Sequence, residues 1–519
     1  MTASAKILHH PASLKRAFES AGVHPALASW VSAAVPSDVD IRAGLRQLRA
    51  RSRSSAQNDD HMSYYLRLVE ANVIGHQGIV IQARPKLLSG GYDKSTAARI
   101  EAVFGEQCER GAWDVTGTLS RLAFDRLGVR TVAMDGEILI RIHEADPDLP
   151  TGWGVEIIDA EALDLDYNAE LPNGNLIRMG VEMTPRRRPV AYHVFREPVT
   201  GWGGYTASTQ RERIPAADIL HVYLPEWVWG TRGIPWAHAS LRRMAMLSGY
   251  EEAAITAARV ASAKAAAYVT TQDYTPGSSP SGQTLEDGRF VQDLEPGAIE
   301  QVPYGWDLKT LDWQWPNTDH GTFVKACLRG IASGLGVSYN ALANDLEGVN
   351  YSSLRQGALS ERELWMLLQS WWIDWVSRPL YRRWLSWAVR SGQLTRANGN
   401  PLPAERLAAL SHASFQGRRW PWVDPVKDMD ANRLAVELRT KSISEIIRES
   451  GRDPEEVWTE LASDLETLKA ADLALASQAP PAPPPATTAP RRAGAASAPD
   501  EADDDSPEPA ASDDDAPED

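Results

Sequence analysis

Apolar and polar positions follow two rhythms along this chain, and the switches between them divide it. From His61 the run YYLRLVEANVIG is apolar at helical spacing and stops at Gly75. Residues 76–85 read as a strand, and 95–128 return to helix. Residues 131–143, TVAMDGEILIRIH, alternate and are β-prone, with Asp135-Gly136 as their turn. Between 153 and 225 the segments VEIIDAEALDLD, LIRMGVEMT, RPVAYHVF and ILHVYL are short strands. Asn173-Gly174-Asn175 supplies one hairpin turn and Pro185 to Pro189 another connection. No long helix separates these strands, which predicts a meander rather than a strand–helix–strand nucleotide fold.

The second half is helical. Pro235 suits a helix start, and the Ala-rich run YEEAAITAARVASAKAAA extends the predicted helix to Ala267. Residues 270–316 change character: TPGSSPSGQ is turn-rich, and short β-like runs broken by Pro and Gly follow. Helix returns from about His320 to Leu335. A loop from Gly336 to Asn350 leads into a long predicted helix, about Ser352 to Arg390. It carries Trp365, Trp371, Trp372, Trp375, Trp384 and Trp387. Trp372 and Trp375, like Trp384 and Trp387, are three apart and share a face. Residues 400–475 read as helical around the corner WPWVDPVKD, and 477–519, rich in Pro and Ala and then Asp, as disordered.

Composition narrows the class. With 519 residues, 43% hydrophobic and 24% charged, the chain is globular and long enough for two or three domains. The 19 Trp against 7 Phe suit broad packed surfaces, in a core or at an interface. The net charge of −16 is concentrated in residues 500–519, whose eleven acidic side chains leave the remainder only mildly acidic. That is not the concentrated positive patch of a conventional nucleic-acid binder. Arg42, Arg46, Arg49, Arg51 and Arg53 crowd the end of a predicted N-terminal arm. They read as a solvated helix face or, more sharply, as a contact for nucleic acid or an acidic partner, and the first is preferred. Two cysteines, Cys108 and Cys327, make neither a disulfide framework nor a zinc spacing, which fits a reducing compartment. Neither a signal peptide nor a membrane span is expected.

A search for chemistry finds little. No GxxxxGK[ST], GxGxxG, HExxH or GxSxG occurs. The 11 His are scattered, and His143, His193 and His221 sit in β-like runs. Asp135 with Glu137 imitates a carboxylate pair, but a pair beside a turn is an ordinary structural feature. Asp159, Asp164 and Asp166 have no second cluster to complete a cation site. No cofactor and no metal are expected, although catalytic residues scattered in sequence would escape such a search.

A series of segments runs along the chain: RARSRSSAQND, YYLRLVEANVIGHQGI, DGEILIRI, IDAEALD, GVEMTPRRRPVAYHVF, RIPAADILHVYLPEWVWGTRGIPW, YEEAAITAARVASAKAA and LEPGAIEQVPYG. LRGIASGLGVSYNALANDLEGVNYSSLRQGALSERE is the most distinctive, and WPWVDPVKD with ESGRDPEEVW closes the series. Together, and in this order, they resemble the lambda-like family of tailed-bacteriophage portal, or head–tail connector, proteins. They cover roughly residues 45–465. The resemblance implies an α+β, multidomain portal fold: an arm (1–60), a mixed α/β wing (61–234), a stem helix (235–267) and a small clip (268–316). A second stem helix (317–336), a channel loop (337–351), a long Trp-rich wing helix (352–398), a helical crown-like region (399–476) and the acidic tail (477–519) follow.

The resemblance further implies a virion component assembled in the host bacterial cytoplasm. It forms a ring, normally of twelve subunits, at the unique capsid vertex and conducts double-stranded DNA without sequence specificity. Its implied partners are the terminase large subunit, the major capsid and scaffolding proteins and head–tail adaptor proteins, with no membrane. It is not an enzyme. The alternatives are a metal- or ATP-dependent packaging nuclease and another head-closure structural protein. Candidates near the channel are Asn340, Asn344, Asp345, Glu347, Asn350 and Tyr351, with Arg355 either binding phosphate or bracing a neighbouring subunit. Each is also readable as an ordinary loop or helix residue.

Overall fold

The structure is a computed structural model. It describes residues 37–87, 91–195, 210–262, 266–270, 283–284, 290–291, 306–310, 320–347, 351–396, 399–420, 425–450 and 452–470. The chain divides into two compact units, Met1–Pro454 and Glu455–Asp519.

The first unit begins with helix α1 (Ser37–Asn58), which buries Ile41, Leu45, Arg49 and Ser52 at helical spacing. Asp59 caps α2 (Asp60–Val69) by accepting from the Met62 N–H at 2.8 Å. A π-helical turn, Glu70–Ile74, carries α2 to Gly75, so the helix stops where the sequence places its end. Strand β1 (Val80–Ala83) and helices α3 (Lys94–Gln107) and α4 (Arg121–Asp135) follow. The single helical stretch expected over 95–128 is thus two helices, each started by its own cap, Asp93 and Ser120.

Strands β2 (Glu137–Glu144), β3 (Trp153–Ile158), β4 (Ala169–Glu170), β5 (Leu176–Arg178), β6 (Val181–Met183), β7 (Pro189–Phe195), β8 (Arg211–Pro215) and β9 (Ile219–Tyr223) form two antiparallel sheets. Their orders are β3-β2-β9 and β4-β5-β6-β7-β8. The second sheet is the expected meander. One predicted strand, LIRMGVEMT, is instead a hairpin. Met179 (φ 47°) and Gly180 (φ 83°) turn the chain between β5 and β6, as a two-residue turn with both positions left-handed requires.

Helix α5 (Leu241–Ser262) starts after a turn that contains Pro235 and ends before β10 (Ala266–Thr270), so the helix expected over 235–267 is shorter at both ends. Strands β11 (Gln283–Thr284), β12 (Phe290–Val291) and β13 (Trp306–Thr310) lie in the predicted insert. Strand β10 pairs with β13 from Ala266–Thr310 to Thr270–Trp306. Helix α6 (His320–Leu335) matches its expectation. The following segment is not all loop, because it holds helix α7 (Tyr339–Ala343).

Helices α8 (Tyr351–Trp372) and α9 (Arg378–Arg390) are joined by a π-helical turn, Ile373–Ser377, into the predicted long helix. The short helix α10 (Leu407–Leu410) precedes β14 (Ala413–Gln416), which pairs antiparallel with β1. Within the region expected to be helical, residues 404–410 do form helical turns, but Ala413–Gln416 close a sheet with β1 instead, and Leu402 and Leu410 are buried in the main core, so this stretch belongs to the body of the first unit. Helices α11 (Pro425–Glu437) and α12 (Ile443–Glu449) complete that unit. The second unit is described through α13 (Pro454–Ala470), and the acidic tail lies outside the described residues.

Most of the tryptophan on the long helix is core. Trp365, Trp371, Trp372 and Trp384 are buried, and Trp372 and Trp384 have no exposed surface. The indole N–H of Trp371 donates to the Tyr223 carbonyl at 3.1 Å and that of Trp387 to the Thr151 carbonyl at 3.2 Å. Arg383 and Arg390 both donate to the Glu144 carboxylate, at 2.8 and 3.0 Å. The helix is therefore strapped to β2, β9 and the segment just before β3 by bonds spread over several turns.

Asp135-Gly136, expected as a turn between strands, instead ends α4. Gly136 has φ 92°, its N–H returns to the Val132 carbonyl at 2.8 Å, and β2 begins at the next residue. A Cβ on Gly136 would lie 2.3 Å from the Ile234 carbonyl carbon, and one on Gly233 would lie 2.1 Å from the Gly136 oxygen. Two backbones touch here with no room for a side chain. Gly233→Ala should therefore destabilise by at least the ~1–3 kcal/mol of an overpacked core. The check is the urea unfolding midpoint, with Gly249→Ala as control, since nothing lies within 4 Å of a Cβ there.

Candidate functional site

Two constellations organise the charged residues of the first unit. The first surrounds Glu137, whose side chain has no exposed surface. Arg232 donates to it through Nε at 2.6 Å, Arg49 through Nη2 at 2.5 Å, His221 pairs with it at 2.8 Å and the Gly233 N–H donates at 2.8 Å. Arg232 also donates to the carbonyls of Ala160 (3.0 Å), Leu163 (3.3 Å) and Met179 (2.8 Å), and Arg49 to that of Asp135 (2.9 Å). Burial by itself pushes the Glu137 carboxyl up, but Arg232, then Arg49 and His221, outweigh it and hold it well below the usual carboxylate range. At the edge of this cluster Arg53 spans Asp135 at 2.7 Å and Asp159 at 2.8 Å. Burial pushes the Asp135 carboxyl up against the pull of Arg53.

The predicted basic arm thus resolves into different roles. Arg49 is 2% exposed and Arg53 is engaged by two carboxylates, so neither forms a free cationic face. Arg46 is exposed and pairs with Asp166 at 3.0 Å, while Arg42 and Arg51 are exposed. Asp159, Asp164 and Asp166 each take an arginine, Arg53, Arg211 and Arg46, and do not converge. Asp135 and Glu137 are likewise structural ion-pair partners. Among the described residues, Asp59, Asp60 and His61 bring three potential ligand atoms within 4.8 Å of one another. Asp59 is committed to capping α2, and Asp60 accepts from the His61 N–H at 2.9 Å.

The second constellation holds the predicted channel loop. Gly336, at φ 70°, ends α6, and Val337 turns back with its N–H on the Ala332 carbonyl at 3.0 Å. Ser338 caps α7 by accepting from the Ala341 N–H at 3.2 Å, and Leu342 is buried in the core. Asn344 stands in the left-handed region at φ 51° and delivers Asp345 back against the helix pair. Asp345 accepts from the Tyr339 hydroxyl at 2.7 Å and the Glu347 N–H at 2.9 Å, and lies 3.1 Å from the Lys325 ammonium on α6. These three partners, Tyr339 first, hold its carboxyl down to about 2. Arg329 stacks over the Tyr339 ring at 5.5 Å from its centre.

Of the channel candidates, Asp345 is therefore a fastening. Asn340 is half-buried on α7, and Asn344 and Glu347 are exposed beside Asp345. Asn350 lies outside the described residues. For Tyr351 and Arg355 the structure describes the backbone, in the first turns of α8. Lys325, Tyr339 and Arg232 were not singled out from the sequence, whereas Glu137 and His221 were weighed there and read as ordinary structural residues. Arg232 does lie in the quoted segment ending GTRGIPW, and its neighbour Gly233 was the available signal.

The family model described as "Phage portal protein, lambda family" matches residues 24–369. The chain belongs to that family. It is 31% identical over 462 residues, 88% of each chain, to a protein of Halomonas phage phiHAP-1 named "Probable portal protein". It is 22% identical over 329 residues to "Portal protein B" of Escherichia phage lambda, covering 57% of this chain and 59% of that one. Among solved structures it is similar to a chain in the neck of an empty GTA particle computed with C6 symmetry. That match has a TM-score of 0.42 at 13% identity, over 83% of this chain and 98% of that one. The motif series read from the sequence marks the same family relationship.

In this portal protein the Glu137 cluster is a mechanical joint. Glu137→Gln leaves two buried guanidinium groups short of a counter-charge and should cost about 3–5 kcal/mol at pH 7. A carboxyl held low in the folded state stabilises above its unfolded value, about 4.3, and loses that contribution as pH falls through the folded value. The gap between variant and wild type should therefore narrow only below about pH 4. Urea unfolding at pH 7, 5 and 3 measures it.

Proposed function

We propose that about twelve copies of this chain close into the portal ring at the unique capsid vertex, the number being the family's usual one and closure the common form of homo-oligomers. The ring conducts double-stranded DNA inward during packaging and outward at ejection. The single observation that carries this reading is the family match across residues 24–369, joined by a relative similar over 88% of both chains. In this reading the wing meets the major capsid and scaffolding proteins. The clip, 268–316, receives the terminase large subunit and later the head–tail adaptor proteins. The protein is made and assembled in the host bacterial cytoplasm and ends in the virion.

A duplex that must slide in both directions cannot be held by many phosphate contacts, because each neutralised phosphate adds a counterion-release gain to binding. The composition supports a weakly interacting conduit: outside residues 500–519 the chain is mildly acidic. The pairing of Lys325 with Asp345, at 3.1 Å beside the channel loop, supports it further, since a cation already matched by a carboxylate contributes less to phosphate binding. Asn340, Asn344, Glu347, Asn350 and Tyr351 remain the candidates for facing DNA, and Arg355 for a phosphate or a neighbouring subunit. No base readout is needed. The chain is a structural subunit, and hydrolysis belongs to the terminase.

Electron microscopy of the purified protein tests this. Hollow rings of about twelve subunits with a channel as wide as a duplex are expected. Persistent monomers that hydrolyse ATP or cut DNA would overturn it in favour of a packaging nuclease.

A further inference from the structure

Helix α13, PEEVWTELASDLETLKA, carries an apolar stripe on its exposed surface. Trp458, Leu461, Leu465 and Leu468 succeed one another at steps of three, four and three residues. Trp458 is 49%, Leu461 51% and Leu465 38% exposed. A stripe at this spacing is a coiled-coil seam, with Trp458 and Leu465 at positions a and Leu461 and Leu468 at positions d. A helix of this length is marginal alone in water and takes its stability from packing of its apolar face.

The flanking positions say what packs there. In a parallel, in-register pair each g residue faces the e residue five places on in its partner. Here Asp464 (g) meets Lys469 (e) of the other copy, a charge-complementary pair, and Val457 (g) meets Ala462 (e), an apolar pair. An antiparallel pair covering the same four apolar residues would instead set Asp464 against Asp464, like charges at the middle of the seam. Apolar flanks at 457 and 462 also widen the stripe beyond a strict two-position seam, as in bundles of more than two helices.

We propose that α13 of one copy packs parallel and in register on α13 of a neighbouring copy through Trp458, Leu461, Leu465 and Leu468. This rests on the ring reading in one respect, that cyclic symmetry holds neighbouring copies parallel. Its consequence is electrostatic. All copies of α13 then run the same way, so the chain's excess of acidic residues at 500–519 follows the same end of every helix.

The test uses the full-length chain with Cys108→Ala and Cys327→Ala, so that one introduced thiol reports alone. Leu461→Cys and Leu465→Cys should join neighbouring copies when treated with a short bismaleimide, whereas Ser463→Cys, on the outer face, should join several-fold less. Asp464→Lys added to Leu461→Cys should reduce the joined fraction, and adding Lys469→Asp as well should restore it. Rings in the microscope with Leu461→Cys joining no better than Ser463→Cys would overturn the helix pairing and leave the ring reading intact. Joining that ignores the charge at 464 and 469 would overturn the parallel register. Selective joining in a protein that forms no rings would support the pairing and count against the ring.

Discussion

Everything in the first unit hangs on one carboxylate that water does not reach. Glu137 opens the central strand β2 and gathers Arg232, Arg49, His221 and the Gly233 N–H. Through them it ties together α1, the end of α4, β9, the segment at 160–163 and the hairpin turn at Met179. A buried ion pair is a poor source of net stability, since desolvation offsets much of the attraction. What it supplies here is position. Each guanidinium has several fixed acceptors, so elements distant in sequence are held in one relative placement. The contact of Gly136 with Gly233 keeps the carboxylate within reach of that backbone N–H.

From this joint the architecture extends along β2. Its far end, Glu144, takes Arg383 and Arg390 of α9, and its neighbours β3 and β9 are flanked by the indole bonds of Trp387 and Trp371. The long helix cannot slide along its own axis without breaking several of these at once. The π-helical turn at Ile373–Ser377 lies between them. It shifts the helical phase by one residue, so the tryptophans before and after it can all face the same body.

Elements whose evidence is local were readable from sequence. Helix α6 ends at Gly336 because that residue is left-handed, and the turn at 173–175 joins its strands because an Asn-Gly pair allows it. The misreadings share one cause. The last turn of α4 (Val132, Ala133, Met134) is as apolar as a strand, and only tertiary packing chooses between the two. Strand β14 is four residues in a helix-rich stretch and exists because β1, more than three hundred residues earlier, offers its edge. Arg49 and Arg53 look like a surface charge run because their partners lie 88 and 82 residues away. The candidate loop was placed by family resemblance, and its fastening by Tyr339 and Lys325 became visible only when α6 and α7 were folded together.

In the proposed ring, that fastening bears on how a channel wall would touch DNA without gripping it. A loop facing a moving duplex meets two demands: it must not collapse onto the phosphates, and it must not offer them free cations. Asp345 answers both. As an acceptor for the Tyr339 hydroxyl and the Glu347 N–H it ties the loop to α7, and as the counter-charge of Lys325 it offsets the nearest described cation on α6. Its carboxyl, held down to about 2, stays ionised at any pH a cell or virion meets, so the pairing does not switch off. Repetition by symmetry would multiply this arrangement around the ring. The wall would then act through shape and a weak negative field, and the force that moves the DNA would have to come from elsewhere.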